Sequence, residues 1–162
     1  MKNPTLKSSS ALALQIVVVL IGIGSLALML WEPHIEGRNA KATAFEIYFK
    51  DPFLAYVYVG SIPFFMALHR AFGLFGHVRK TGAFSQVTVD ALRAIQHCAI
   101  AIIGFVAGAV VIILMFGDKD DQPAGVFMCL LLTGAASAIA VTAAMFARNL
   151  KNSLRRPEGS RG

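Results

Sequence analysis

AIQHCAIAIIGFVAGAVVIILMFGDKDDQPAGVFMCLLLTGAASAIAVTAAMFA, residues 94–147, decides the fold. Its first 23 residues, 94–116, carry no charged side chain. The polar stretch Gly117-Asp118-Lys119-Asp120-Asp121-Gln122-Pro123 follows, and residues 124–147 are again uncharged. A helix rising about 1.5 Å per residue needs about 20 apolar residues to cross a hydrocarbon core of about 30 Å. Two runs of that length on either side of a short polar connector read as two antiparallel membrane spans.

Two further spans lie upstream. Residues 53–68 are apolar, His69-Arg70 interrupts, and the apolar pattern resumes through residues 71–75. One helix carried past Arg70, whose long stem can snorkel to the headgroups, accounts for 53–75. Pro63 removes one backbone bond from it and is expected to kink it. Residues 11–31 form another apolar run, longer than the roughly 7–15 residues of a signal-peptide core. It closes on Leu28-Met29-Leu30-Trp31, poor cleavage chemistry, so it reads as an uncleaved span with Trp31 as an interfacial anchor.

The connectors divide the chain. Residues 32–52 form a polar loop, within which 42–49 reads equally as a short interfacial helix or a plain loop. Residues 76–93 form a polar connector with His77, Arg79, Lys80, Asp90 and Arg93. Thr81-Gly82 is a break, and Ser85 suits the N-cap of a helix running through Val87, Val89, Leu92 and Ile95 into the third span. The expected organisation is a cytoplasmic tail at 1–10, a four-helix transmembrane domain at 11–154 (spans about 11–31, 53–75, 94–116 and 124–147), and a disordered basic tail at 155–162.

Composition agrees. The chain is 56% hydrophobic and 15% charged, against about 25% charged for an average soluble domain. A net charge of +6 does not point to nucleic acid here, because the bases cluster at span ends, where they set orientation. The terminal tails and the middle connector with Arg70 hold 11 Lys and Arg; the other two loops hold 4. The positive-inside rule then places both termini in the cytoplasm. Cys98 and Cys129 lie inside apolar runs and read as small core residues, with neither disulfide-framework nor zinc spacing.

Little in the sequence suggests chemistry. His69 and His97 end neighbouring spans and could together ligate haem or a metal, but no second pair or carboxylate supports them. With His77 they read as interfacial histidines. Asp118, Asp120 and Asp121 supply too few oxygens for calcium, which takes 6–8. The span interiors hold Gln15, Ser25, Ser61, Thr133, Ser137 and Thr142 but no midplane acid or base, which argues against an ion-coupled carrier. No nucleophile and base, and no metal motif, suggests an intramembrane hydrolase. The expectation is no catalytic, cofactor or metal residue.

Small residues are more informative. Gly104 and Gly108 form a small-xxx-small pattern, and Gly134, Ala138 and Thr142 repeat it. Such faces let helices approach closely in lipid. Within one hairpin each is expected to pack on the other, with Val106 off the contact; a homo-oligomer face is the rival reading.

Three motifs in this order, Ser61-Ile62-Pro63-Phe64-Phe65-Met66-Ala67-Leu68, Gly82-Ala83-Phe84-Ser85 with Leu92-Arg93-Ala94-Ile95, and Asp118-Lys119-Asp120-Asp121-Gln122-Pro123-Ala124-Gly125, resemble a bacterial family known as domain of unknown function 2975. The resemblance covers residues 47–154 and implies four spans in a bacterial plasma membrane, with no established activity. Many relatives end in a short acidic motif; this chain ends in Arg155-Arg156-Pro157-Glu158-Gly159-Ser160-Arg161-Gly162. The family's gene neighbourhoods imply a cytoplasmic helix-turn-helix regulator as partner. The expected function is therefore a non-enzymatic regulatory, sensory or immunity-type membrane protein acting by contact, the alternative a small transporter or pore-forming subunit.

The charge count generates a test. In a background lacking Cys98 and Cys129, single cysteines at Asn39 and Asp120 should react with an impermeant thiol reagent on intact cells. Cysteines at Ser85 and Ser160 should react only after lysis, and labelling of Ser85 from outside would reverse the topology.

Overall fold

The apolar runs become four long helices. In the computed structural model, which describes residues 4–31, 52–81, 85–117, 119 and 122–155, these are α1 (Pro4–Trp31), α2 (Pro52–Thr81), α3 (Gln86–Phe116) and α4 (Gln122–Arg155). All four are long and apolar enough to cross a membrane. Expectations for loop residues 32–51, the Gly82 break, the three aspartates of the second hairpin and the tail after Arg155 lie outside the described residues.

Consecutive helices pack side by side and run antiparallel: α1 on α2, α2 on α3, α3 on α4. Tyr58 Oη donates to the Met29 carbonyl (2.8 Å) and Gln15 Nε2 to the Phe72 carbonyl (3.2 Å), joining opposite ends of α1 and α2. Tyr56 Oη donates to the Phe105 carbonyl of α3 (2.8 Å). Residues two apart on a helix point about 200° apart, so Tyr56 and Tyr58 hold α2 to a different neighbour on each side. The helix starts and ends thus place Pro4, the α2–α3 turn and Arg155 at one end of the bundle.

α2 continues unbroken through Pro63 and past Arg70. α3 starts at Gln86 behind the Ser85 cap, as expected; the correction is to α2, which runs on to Thr81 instead of ending at residue 75. Leu74 and Val78 on α2, and Ala91, Leu92 and Ile95 on α3, supply an apolar stripe that lets both helices continue beyond their uncharged runs. Leu74, Ile95 and Ala143 form a buried cluster joining α2, α3 and α4.

The small-residue faces need correcting too. Nothing lies within 4 Å of where a Cβ would sit on Gly104 or Gly134, and Ala138 and Thr142 are exposed. The buried residues of α4 are Cys129, Ala136, Ala140, Ala143 and Ala147; those of α3 include Ala99 and Val106. Positions 136, 140, 143 and 147 recur at four- and three-residue steps, the stripe that one helix presents to a partner. The alanines, not the glycines, make the α4 seam. Gly108 does carry a close approach, but to α2: a Cβ there would strike the Tyr56 hydroxyl. A Cβ on Gly60 would sit 3.3 Å from the Phe105 ring, so each helix offers a glycine beneath the other's aromatic side chain.

Gln122, the first residue of α4, also holds the second hairpin. Its amide donates to the carbonyl of Gly117 (3.0 Å) and to that of Ile113 (3.3 Å), which also accepts from the Gly117 amide (2.9 Å), so one side chain braces the end of α3. Pro123 sits in the first turn of α4, where its missing N–H costs nothing.

Overpacking a filled contact typically costs about 1–3 kcal/mol. Ala140→Leu and Gly108→Ala should therefore lower the melting temperature in detergent by several degrees. Gly104→Leu and Gly134→Leu should leave it unchanged within a degree or so, since both positions open onto free space.

Candidate functional site

Four polar side chains meet where α2 turns into α3. Ser85 has extended backbone (φ −149°, ψ 156°), and its Oγ accepts from the Thr88 amide at 3.2 Å, the N-cap expected from the sequence. The same Oγ lies 2.9 Å from His77 Nε2 and 3.0 Å from Thr88 Oγ1. Thr81 Oγ1 is 3.0 Å from His77 Nε2 and donates to the His77 carbonyl at 2.9 Å. Thr88 is 5% exposed and Val89 fully buried beneath the cluster. Through the contact of His77 Nε2 with Ser85 Oγ, one imidazole ties the last turn of α2 to the cap of α3.

A serine beside a histidine is also the pairing of a nucleophile with its base. Here Ser85 is committed to its cap. The one carboxylate among the described residues, Asp90, faces Gln86 (Nε2 to Oδ1, 3.5 Å) rather than the imidazole. The arrangement shapes a turn.

Its outer surface differs in character. Gln86, Asp90, Arg93 and His97 recur at four- and three-residue steps on α3, and all are exposed. Val87 beside them is 56% exposed, two residues from wholly buried Val89. His97 keeps its ring against its own helix, Nδ1 to the Arg93 carbonyl at 2.8 Å. Arg79 and Lys80 in the last turn of α2, Arg148 and Arg155 on α4, and Arg93 make this end of the bundle basic. Bases in a last turn also complement the negative end of the helix dipole.

The histidines weighed in the sequence do not assemble. His69 is exposed on α2, His77 is committed to the turn, and His97 caps backbone on α3. No group of three or more His, Cys, Asp or Glu side chains suited to a metal occurs among the described residues. Cys98 and Cys129 are both free thiols. The His77–Ser85 contact escaped the sequence reading. Its signal was present, since the two residues flank the Thr81-Gly82 break at a separation that a tight helical hairpin closes.

Four membrane-length helices with a capped, basic hairpin end define a multi-pass helical membrane protein. The chain belongs to the family described as "Protein of unknown function (DUF2975)", which it matches over residues 36–155. It is 35% identical over 146 residues to the uncharacterized membrane protein YoaS of Bacillus subtilis (strain 168), covering 90% of this chain and 91% of that protein. No solved structure matches it. The family match takes in α2, α3 and α4 and omits α1. Those three helices are the ones that meet at Leu74, Ile95 and Ala143.

Loss of a serine N-cap typically costs about 1 kcal/mol. Ser85→Ala should destabilise the protein by about that much, and Ser85→Asp, which can still cap, by less. Thermal unfolding of the three proteins side by side measures both.

Proposed function

We propose that the protein is a non-enzymatic regulatory membrane protein of the bacterial plasma membrane, with the basic end in the cytoplasm, that works by holding a cytoplasmic partner. The observation behind this reading is the stripe Gln86, Val87, Asp90 and Arg93, exposed on a helix whose opposite side is packed and whose start is capped. An exposed valine beside an acid, with a base on the same stripe, presents apolar area edged by charge, the anatomy of a small protein contact. The excess of bases at this end supports its cytoplasmic placement. The gene neighbourhoods that the family resemblance implies suggest a helix-turn-helix regulator as the partner.

The test is co-purification of that regulator with the full-length protein, extracted in mild detergent after co-expression. Gln86→Ala, Asp90→Ala and Arg93→Ala together should leave yield and melting temperature near wild type and reduce capture at least tenfold. Capture unchanged by the triple substitution would make the stripe a solvated helix face. Solute flux through reconstituted liposomes, with no capture, would favour a transporter instead.

A further inference from the structure

α2 carries a groove that neither neighbouring helix fills. It has a volume of about 430 Å³ and is lined by Ser61, Ile62, Phe65, Met66, His69 and Arg70. These residues lie along one side of α2, with apolar side chains over about two turns and the two basic ones together at the end nearer the α2–α3 turn. Ile62 and Met66 are each more than half exposed, as surfaces facing acyl chains are. One turn beyond His69 stands Gly73, with nothing within 4 Å of where its Cβ would be, so the groove stays open past the basic pair.

The charge of Arg70 meets no partner among the described residues. α2 contains no Asp or Glu, and among the described residues neither His69 nor Arg70 meets a hydrogen-bond or ion-pair partner. Asp90, the single carboxylate described, is turned to Gln86 on α3. Arg70 lies five residues inside the end of the apolar run at Phe75, which is about 8 Å along the helix axis. A guanidinium at that depth needs an anion within reach of its side chain. A guanidinium matches a phosphate with two parallel hydrogen bonds, and the stem beneath it is apolar.

We propose that this groove binds one anionic phospholipid. Its phosphate is held by Arg70 with His69 beside it, one acyl chain lies along Ile62, Phe65 and Met66, and the headgroup passes over Gly73. The groove is shaped for an amphiphile, with charge at one end only and an apolar bed at the other. That excludes a free inorganic anion, which would leave the bed unused. The proposal stands apart from the partner stripe on α3 and does not depend on it.

The experiment uses the full-length protein in neutral detergent, supplied with phosphatidylglycerol or phosphatidylcholine in mixed micelles, with bound lipid counted by native mass spectrometry and stability followed by thermal unfolding. The wild type should retain one phosphatidylglycerol per chain in at least tenfold preference to phosphatidylcholine, with a rise in melting temperature that inorganic phosphate does not reproduce. Arg70→Gln should lose that preference, and Arg70→Lys should recover it only in part, because an ammonium cannot make the paired bonds. Gly73→Leu should block binding with Arg70 intact, and its open surroundings make it safe for folding. Arg79→Gln, at the end of α2 and outside the groove, should behave as wild type. Equal loss in Arg70→Gln and Arg79→Gln would overturn the proposal in favour of unspecific headgroup attraction. Stabilisation by inorganic phosphate alone, or a lipid-free dimer abolished by Gly73→Leu, would overturn it in favour of an anion site or a second copy of the chain.

Discussion

Tyr56 reaches the Phe105 carbonyl only because Gly108 has no side chain, and the middle of the bundle is arranged around that contact. In lipid, two apolar helices gain nothing from leaving their solvent for each other. Attraction must come from dispersion at close range and from hydrogen bonds with no competing water. The α2–α3 crossing supplies both. Tyr56 lies over Gly108, Phe105 lies over Gly60, and the rings meet at 5.6 Å between centroids and 58° between planes. A hydroxyl that would otherwise sit unpaired among acyl chains finds a carbonyl. Tyr58 repeats the device toward α1, at Met29.

Burial is uneven along the bundle. Leu74, Val89, Ile95, Ala143 and Ala147 are all buried near the end at which α2 and α3 join, and Ala99, Val106, Cys129, Ala136 and Ala140 are buried farther along α3 and α4. Most large side chains, from Ile16 and Leu20 on α1 to Leu130 and Val141 on α4, are exposed. Leu74, Ile95 and Ala143 join three helices in one small core. That core carries the His77–Ser85 turn and keeps α3 rigid where its outer face is displayed.

The fold was legible in the sequence because a span is a matter of length and polarity: the uncharged runs ending at Trp31 and Phe116, the helix continuing past Arg70, and the Ser85 cap all follow from local rules. Pairing was not legible in the same way. Gly104, Gly108, Gly134 and Ala138 satisfy one spacing rule, yet only Gly108 is used, and against α2 rather than α4. Small residues permit close approach without choosing a partner. The choice rests on rotation about the helix axis, which the alanine stripe on α4 and the tyrosines of α2 set together. Only the extension of α2 to Thr81 was missed, because Arg79 and Lys80 hid the period that Leu74 and Val78 continue. Ala91, Leu92 and Ile95 face Leu74 and Val78, while Asp90 and Arg93 point away, so a mixed stretch is an amphipathic helix.

Charge divides the molecule as sharply as hydropathy does. The described helices contain one acid, Asp90, against the bases Lys7, Arg70, Arg79, Lys80, Arg93, Arg148, Lys151 and Arg155. Among the described residues, internal ion pairing therefore cannot neutralise this end. All of these bases but Arg70 stand within about two turns of a helix end, where water, salt and a helix dipole can carry them. Arg70 stands farther inside its helix, with His69 before it and the apolar residues 71–75 after it. A charge that a fold neither pairs nor places in water has to be met by the surroundings, and at that depth the surroundings able to meet it are the phosphates of the bilayer.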